Sequence, residues 1–148
     1  ISNKLIELED IQHTIKELIW VFQDTNPNYE TEFLSLADHN GSIQLLINED
    51  SRFEEQNVLY FTRYQPYMYH SGRGGVNYND SIFVYSFSLY PEKYQPSGVC
   101  NFTNLEVQLE LNDISIVNNN DNIKINVYAI NYNILKISGG TIKLLYGK

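Results

Sequence analysis

A chain of 148 residues with 43% hydrophobic and 19% charged side chains is long enough to bury a core and is not disordered by composition. Its net charge of −8 excludes a duplex-binding surface, which depends on clustered Lys and Arg. The single cysteine, Cys100, excludes an internal disulfide and a thiolate metal cluster. Twelve Tyr and seven Phe favour pleated, half-buried backbone and hence β structure. No apolar run reaches the roughly 20 residues of a membrane-spanning helix, so membrane insertion is not expected. No signal peptide opens the chain, and because it starts at Ile1 with its only Met at 68, it reads as a fragment or a processed product.

In chain order, Lys4–Gln12 fits either a helical turn or a strand. Lys16–Gln23 (KELIWVFQ) is β-branched and aromatic and ends in DTNPN, so it reads as a buried strand. After a looser stretch ending in the turn signal Asn40-Gly41, Ile43–Asn48 is a further strand. Glu49–Asn57 is a polar loop or short helix, and the apolar-aromatic run Val58–Tyr64 is interrupted by Pro66. Ser71–Gly75 and Asn77–Asp80 have the composition of a surface loop.

Ile82–Tyr90 alternates Phe83, Tyr85, Phe87 and Leu89 on one face against Ile82, Val84, Ser86 and Ser88 on the other. Gln95-Pro96-Ser97-Gly98 makes the connection that follows. Leu105–Leu111 is a period-two strand with Leu105, Val107, Leu109 and Leu111 inward and Glu106, Gln108 and Glu110 outward. Ile114–Ile116 extends or re-pairs it, and Asn118–Asn122 turns the chain. Ile123–Ile137 is one or two long strands, bent at Ser138-Gly139-Gly140 before the tail. The sum is a single all-β domain, an antiparallel sandwich.

Within this pattern, Tyr85-Ser86-Phe87, Pro91-Glu92, Gln95-Pro96-Ser97-Gly98 and Cys100-Asn101-Phe102 resemble the signature of the major capsid proteins of nucleocytoplasmic large DNA viruses. Three further blocks resemble the family in the expected order. They are Lys16–Val21, then Arg52-Phe53-Glu54 with Tyr60-Phe61, Gln65-Pro66-Tyr67 and His70, and finally Val127–Leu135. The resemblance implies most of the second jelly roll of a double jelly-roll protein, with the first jelly roll absent from residues 1–148. It implies an icosahedral shell protein, not an enzyme, forming homotrimeric pseudo-hexagonal capsomers that contact neighbouring capsomers and minor capsid proteins. No direct nucleic-acid contact is implied, and the location is the virion, assembled in host cytoplasm. The chain departs from the family at Asn104, where a basic residue is expected, in the loop Ser71–Ser81, and in the tail after Ser138-Gly139.

No residue is assigned a catalytic, cofactor-binding or metal-binding role. His13, His39 and His70 are too widely spaced for a ligand set, and His70 reads as a structural hydrogen-bonding group near the turn after Pro66. Glu54-Glu55 reads as a solvated loop, Ser86 and Ser97 lack a nucleophile-elbow context, and Cys100 reads as a small buried hydrophobe. Asn40, Asn79 and Asn101 head N-glycosylation triplets, which an Asn-rich chain generates by chance. Tyr64, Tyr67, Tyr69 and Tyr78 read first as core or interface packing, and the alternative function is a jelly-roll carbohydrate-binding module built on these Tyr-rich loops.

Overall fold

A computed structural model describes residues 3–26, 33–36, 40–72, 80–114 and 122–146. Two antiparallel sheets enclose one core. Sheet A has the order β1 (Asn3–Glu7), β8 (Val107–Asn112), β3 (Ser42–Ile47) and β4 (Asp50–Ser51), with β5 (Gln56–Asn57) also on β3. Sheet B is centred on β2 (Thr14–Asp24), with β6 (Ile82–Ser86) and β7 (Cys100–Asn101) along one edge and β9 (Ile123–Asn131) along the other. Strands β10 (Leu135–Ser138) and β11 (Thr141–Leu144) form a separate two-stranded hairpin.

The alternation read from the sequence places the core. Leu18, Trp20 and Phe22 of β2 face Ile43 and Leu45 of β3 and Val107, Leu109 and Leu111 of β8, all nearly or fully buried. Trp20 stacks on Phe83 at 5.6 Å, and Phe83 meets Phe22 edge-on at 5.1 Å. Rings so arranged contribute about 1 kcal/mol per pair beyond their burial.

Of Lys4–Gln12, ambiguous in the sequence, only Lys4–Glu7 belongs to the strand β1, and the rest is turn and irregular backbone. Glu49–Asn57 is neither loop nor helix throughout. Asn48 and Glu49 take positive φ (51° and 68°) between the paired residues Ile47 and Asp50, a two-residue hairpin turn matched to strand twist. The apolar run at 58–64 is helical and Pro66 does not interrupt it. A π-helical turn, Tyr60–Tyr64, runs into the helix α1, Gln65–Tyr69, with Pro66 near its start.

The strand expected over Ile82–Tyr90 stops at Ser86. On its second face Val84, Ser86 and Ser88 are buried instead of turning towards water while Ile82 is exposed, and Leu89 points into solvent. The strand at Leu105–Leu111 begins at Val107, and Gln108, expected outward, is buried because its amide donates to Glu7 at 2.7 Å and Glu106 at 2.9 Å. Ile114 is buried, whereas Ser115 and Ile116 and most of the 118–122 turn lie outside the described residues. Ile123–Ile137 resolves into β9 and β10. The Ser138-Gly139-Gly140 bend is the β10–β11 turn, with Gly139 and Gly140 at φ 57° and 77°.

Candidate functional site

The signature loop between β6 and β7 is held against sheet B by short-range hydrogen bonds. Ser97 Oγ lies 2.5 Å from Ser88 Oγ and accepts the Tyr90 N–H at 2.8 Å. Ser86 Oγ donates to the Ser88 carbonyl at 2.7 Å, and Lys16 Nζ donates to the Pro91 carbonyl, also at 2.7 Å. Gly98 has φ 143°, and a Cβ there would sit 2.4 Å from the Phe87 carbonyl oxygen. Glycine is therefore favoured twice here, by conformation and by close approach. The loop leaves Leu89, Tyr90 and Val99 largely exposed and Tyr94 fully so.

Beneath it lies the buried carboxylate of Glu17 on β2, 1% exposed. His70, at the end of α1, meets it with Nε2 2.6 Å from Oε1, and its Nδ1 lies 3.5 Å from Glu92. The hydrogen bond to Glu17 raises the imidazole pKa above its ordinary value, and burial works against that. Glu92 accepts the Ser71 N–H at 3.0 Å, and this bond holds its pKa low. Close by, Arg63 grips Asp80 through Nε at 2.7 Å and a second nitrogen at 2.5 Å; this pairing keeps the Asp80 carboxyl below its usual range. Both pairs border a cleft of about 330 Å³. They fasten the helical segment and the loop ends to sheet B. The structural hydrogen bond expected for His70 is present, with a partner 53 residues away in sequence.

The other singled-out residues do not converge. His13 stacks on Tyr146 at 4.5 Å, and His39 and Tyr78 lie outside the described residues. Glu54 and Glu55 are exposed, and Glu55 accepts a hydrogen bond from Ser42. Cys100 is half-buried, not enclosed, and burial pushes its thiol pKa up. Asn40 and Asn101 are exposed, while Asn79 is outside the described residues. Tyr64 and Tyr67 are exposed on the helical segment, with Tyr64 stacked on Tyr60 at 5.5 Å, and Tyr69 is half-buried. They are surface groups, not core. Among the described residues no His, Cys, Asp and Glu cluster is arranged to hold a metal.

What sequence reasoning missed is an apolar exterior. Cross-strand register puts Tyr128, Ile19 and Val84 in one row on the outer face of sheet B, and Asn126, Val21 and Ile82 in the next. Ile82, Tyr128 and Ile130 are 51%, 59% and 39% exposed. On the β10–β11 hairpin, Leu135 opposes Leu144 and Ile137 opposes Ile142, so these four share a face, with Lys136 opposite Lys143 on the other. All eight hairpin residues are exposed. Charge is also divided along the chain. Every Asp and Glu lies at or before Asp121, whereas Lys124, Lys136, Lys143 and Lys148 follow it.

The two-sheet fold, with exposed apolar groups on sheet B and polar groups that fasten its loops, agrees with what the chain is related to. Residues 6–142 match the family model described as large eukaryotic DNA virus major capsid protein, and the chain belongs to that family. It is 40% identical over 108 residues to a major capsid protein of Phaeocystis pouchetii virus, covering 70% of this chain and 19% of that protein. It is 30% identical to the major capsid protein of Pyramimonas orientalis virus, covering 93% of this chain and 37% of the relative. The fold superposes on VP54 of Paramecium bursaria Chlorella virus 1 with a TM-score of 0.74 at 22% identity, over 99% of this chain and 46% of VP54. The chain thus spans less than half the length of these relatives. The sugar-binding alternative gains no support from the relatives, which are capsid proteins.

Proposed function

We propose that this chain is the C-terminal jelly roll of a longer double jelly-roll polypeptide that builds the icosahedral shell of a large DNA virus. Copies associate as homotrimeric, pseudo-hexagonal capsomers that tile with neighbouring capsomers and meet minor capsid proteins, with assembly in host cytoplasm. The observation that carries this reading is the apolar exterior: Ile82, Tyr128 and Ile130 on sheet B and the four-residue face of the hairpin. A monomer seldom leaves such faces in water, and each Å² removed from water on association is worth about 25 cal/mol before the costs of association. Cyclic symmetry lets the same modest contact repeat and close. The polar groups of the His70 and Arg63 pairs keep the loops in one shape, which a repeating contact requires.

Light scattering on the intact protein tests the reading. A native mass three times the denatured mass is expected. A monomer that persists at high concentration overturns it.

A further inference from the structure

His70 sits where three parts of the fold meet. It closes the helix α1, its backbone N–H donating to the Pro66 carbonyl at 3.0 Å. Its ring lies between two carboxylates brought in by different elements. Nε2 is 2.6 Å from Glu17 on β2, and Nδ1 is 3.5 Å from Glu92 in the signature loop. The two sides differ in their access to water: the Glu17 side chain is 1% exposed and that of Glu92 40%. Glu92 also reaches the residue after His70, accepting the Ser71 N–H at 3.0 Å. The other charged groups around this cleft, among the described residues, are engaged elsewhere. Lys16, next to Glu17, donates to the Pro91 carbonyl at 2.7 Å with its ammonium over the Tyr132 ring, and Asp80 is paired with Arg63.

Ring chemistry makes this arrangement depend on a proton. A carboxylate only accepts, so serving both requires an N–H on each ring nitrogen, which only the imidazolium has. A neutral ring keeps one N–H and turns a lone pair towards the other carboxylate. The N–H that stays is the one on Nε2, because buried Glu17 has no water to replace it and Glu92 does. We infer that His70 is a proton-operated clasp on the signature loop: charged, it ties Glu92 to Glu17, and neutral, it keeps Glu17 and releases Glu92. The hydrogen bond to Glu17 extends the charged form to higher pH. What the clasp controls is the pose of an exposed aromatic loop, since Tyr90 and Tyr94, 63% and 100% exposed, flank Glu92. Release is local, because Lys16 still holds Pro91 and Ser88 still meets Ser97.

Residue-resolved NMR on the intact protein from about pH 5 to about pH 10 tests the clasp, with ring nitrogen shifts reporting the proton and tautomer of His70 and amide exchange reporting Ser71. Exchange rates are corrected for hydroxide catalysis. The wild type should lose about threefold of its Ser71 protection as the ring titrates, the scale of a partly exposed ion pair, and its neutral ring should carry the proton on Nε2. Glu92→Gln separates the clasp from a general effect of pH. Its amide keeps an oxygen for Ser71 and offers an N–H to a neutral Nδ1, so protection should no longer fall. Glu92 lies at the surface, and the substitution leaves the core in place. An equal fall in both proteins overturns the inference, as does constant Ser71 protection in the wild type. A neutral ring protonated on Nδ1 overturns it too, because Glu17 is then the side released.

Discussion

The outer faces of the two sheets are opposites. On sheet A, Glu110 accepts hydrogen bonds from Asn3 at 3.2 Å and Gln44 at 3.0 Å, and Gln108 bridges the carboxylates of Glu7 and Glu106. That face also carries Leu5 and Leu46, but its Asn, Gln and Glu side chains bond to one another across three strands. On sheet B the corresponding positions are apolar, with Ile82, Tyr128 and Ile130 exposed, Ile19 half-buried and Val21 and Val84 buried, and the carboxylate of Glu17 is covered by His70. Both sheets send the same kind of apolar residue inward, so the core does not distinguish them. The difference teaches that polar side chains tie one exterior together, while the other exposes Ile82, Tyr128 and Ile130 with the signature loop alongside.

The comparison can be broken most severely at that loop. Gly98→Ala forces a Cβ against the Phe87 carbonyl at a positive φ, and it should cost about 3 kcal/mol of stability in urea unfolding. A change within error would mean the loop does not brace sheet B. Next comes the covering of Glu17. His70→Ala leaves a buried carboxylate without its donor and should cost about 2 kcal/mol. The pH dependence has a definite sign. The folded pKa of His70 is raised above 6.5, so its stabilisation is complete below that pH and is lost as pH rises through the folded value. Unfolding curves should therefore show the wild-type advantage over His70→Ala shrinking with rising pH, and an advantage that grows would contradict the pairing. The smallest effect on folding sharpens the contrast itself. Ile82→Ser with Ile130→Ser should shift stability by only about 0.5 kcal/mol yet weaken association in sedimentation, whereas Leu5→Ser on sheet A should change neither much. Equal loss of association from both faces would erase the distinction.

Much of this fold is legible without coordinates because strands announce themselves at period two. Leu18, Trp20 and Phe22, and likewise Val107, Leu109 and Leu111, fall on the core side as their alternation requires. The helical segment carried a readable signal too. Val58, Phe61, Thr62 and Gln65 are buried at helical spacing, but two of the four are polar, and the surrounding Tyr and Phe favour strands by propensity. Other features had no local signature at all. Gln108 is buried by a partner 101 residues away, and Glu17 is tied to His70 across 53. A single sequence shows the composition of a face, but register decides which residues share it. The apolar exterior was hidden for that reason, since Ile19, Val84 and Tyr128 become neighbours only when three distant strands pair.

The division of charge along the chain has a consequence at distances where no side chains touch. With every Asp and Glu at or before Asp121 and Lys124, Lys136, Lys143 and Lys148 after it, the two stretches of this sequence carry opposite charge. If copies associate as proposed, opposite stretches attract one another before contact, and at physiological salt this acts over about 8 Å. Orientation is then partly settled in the encounter, and raising the ionic strength slows productive docking without altering the docked contact itself.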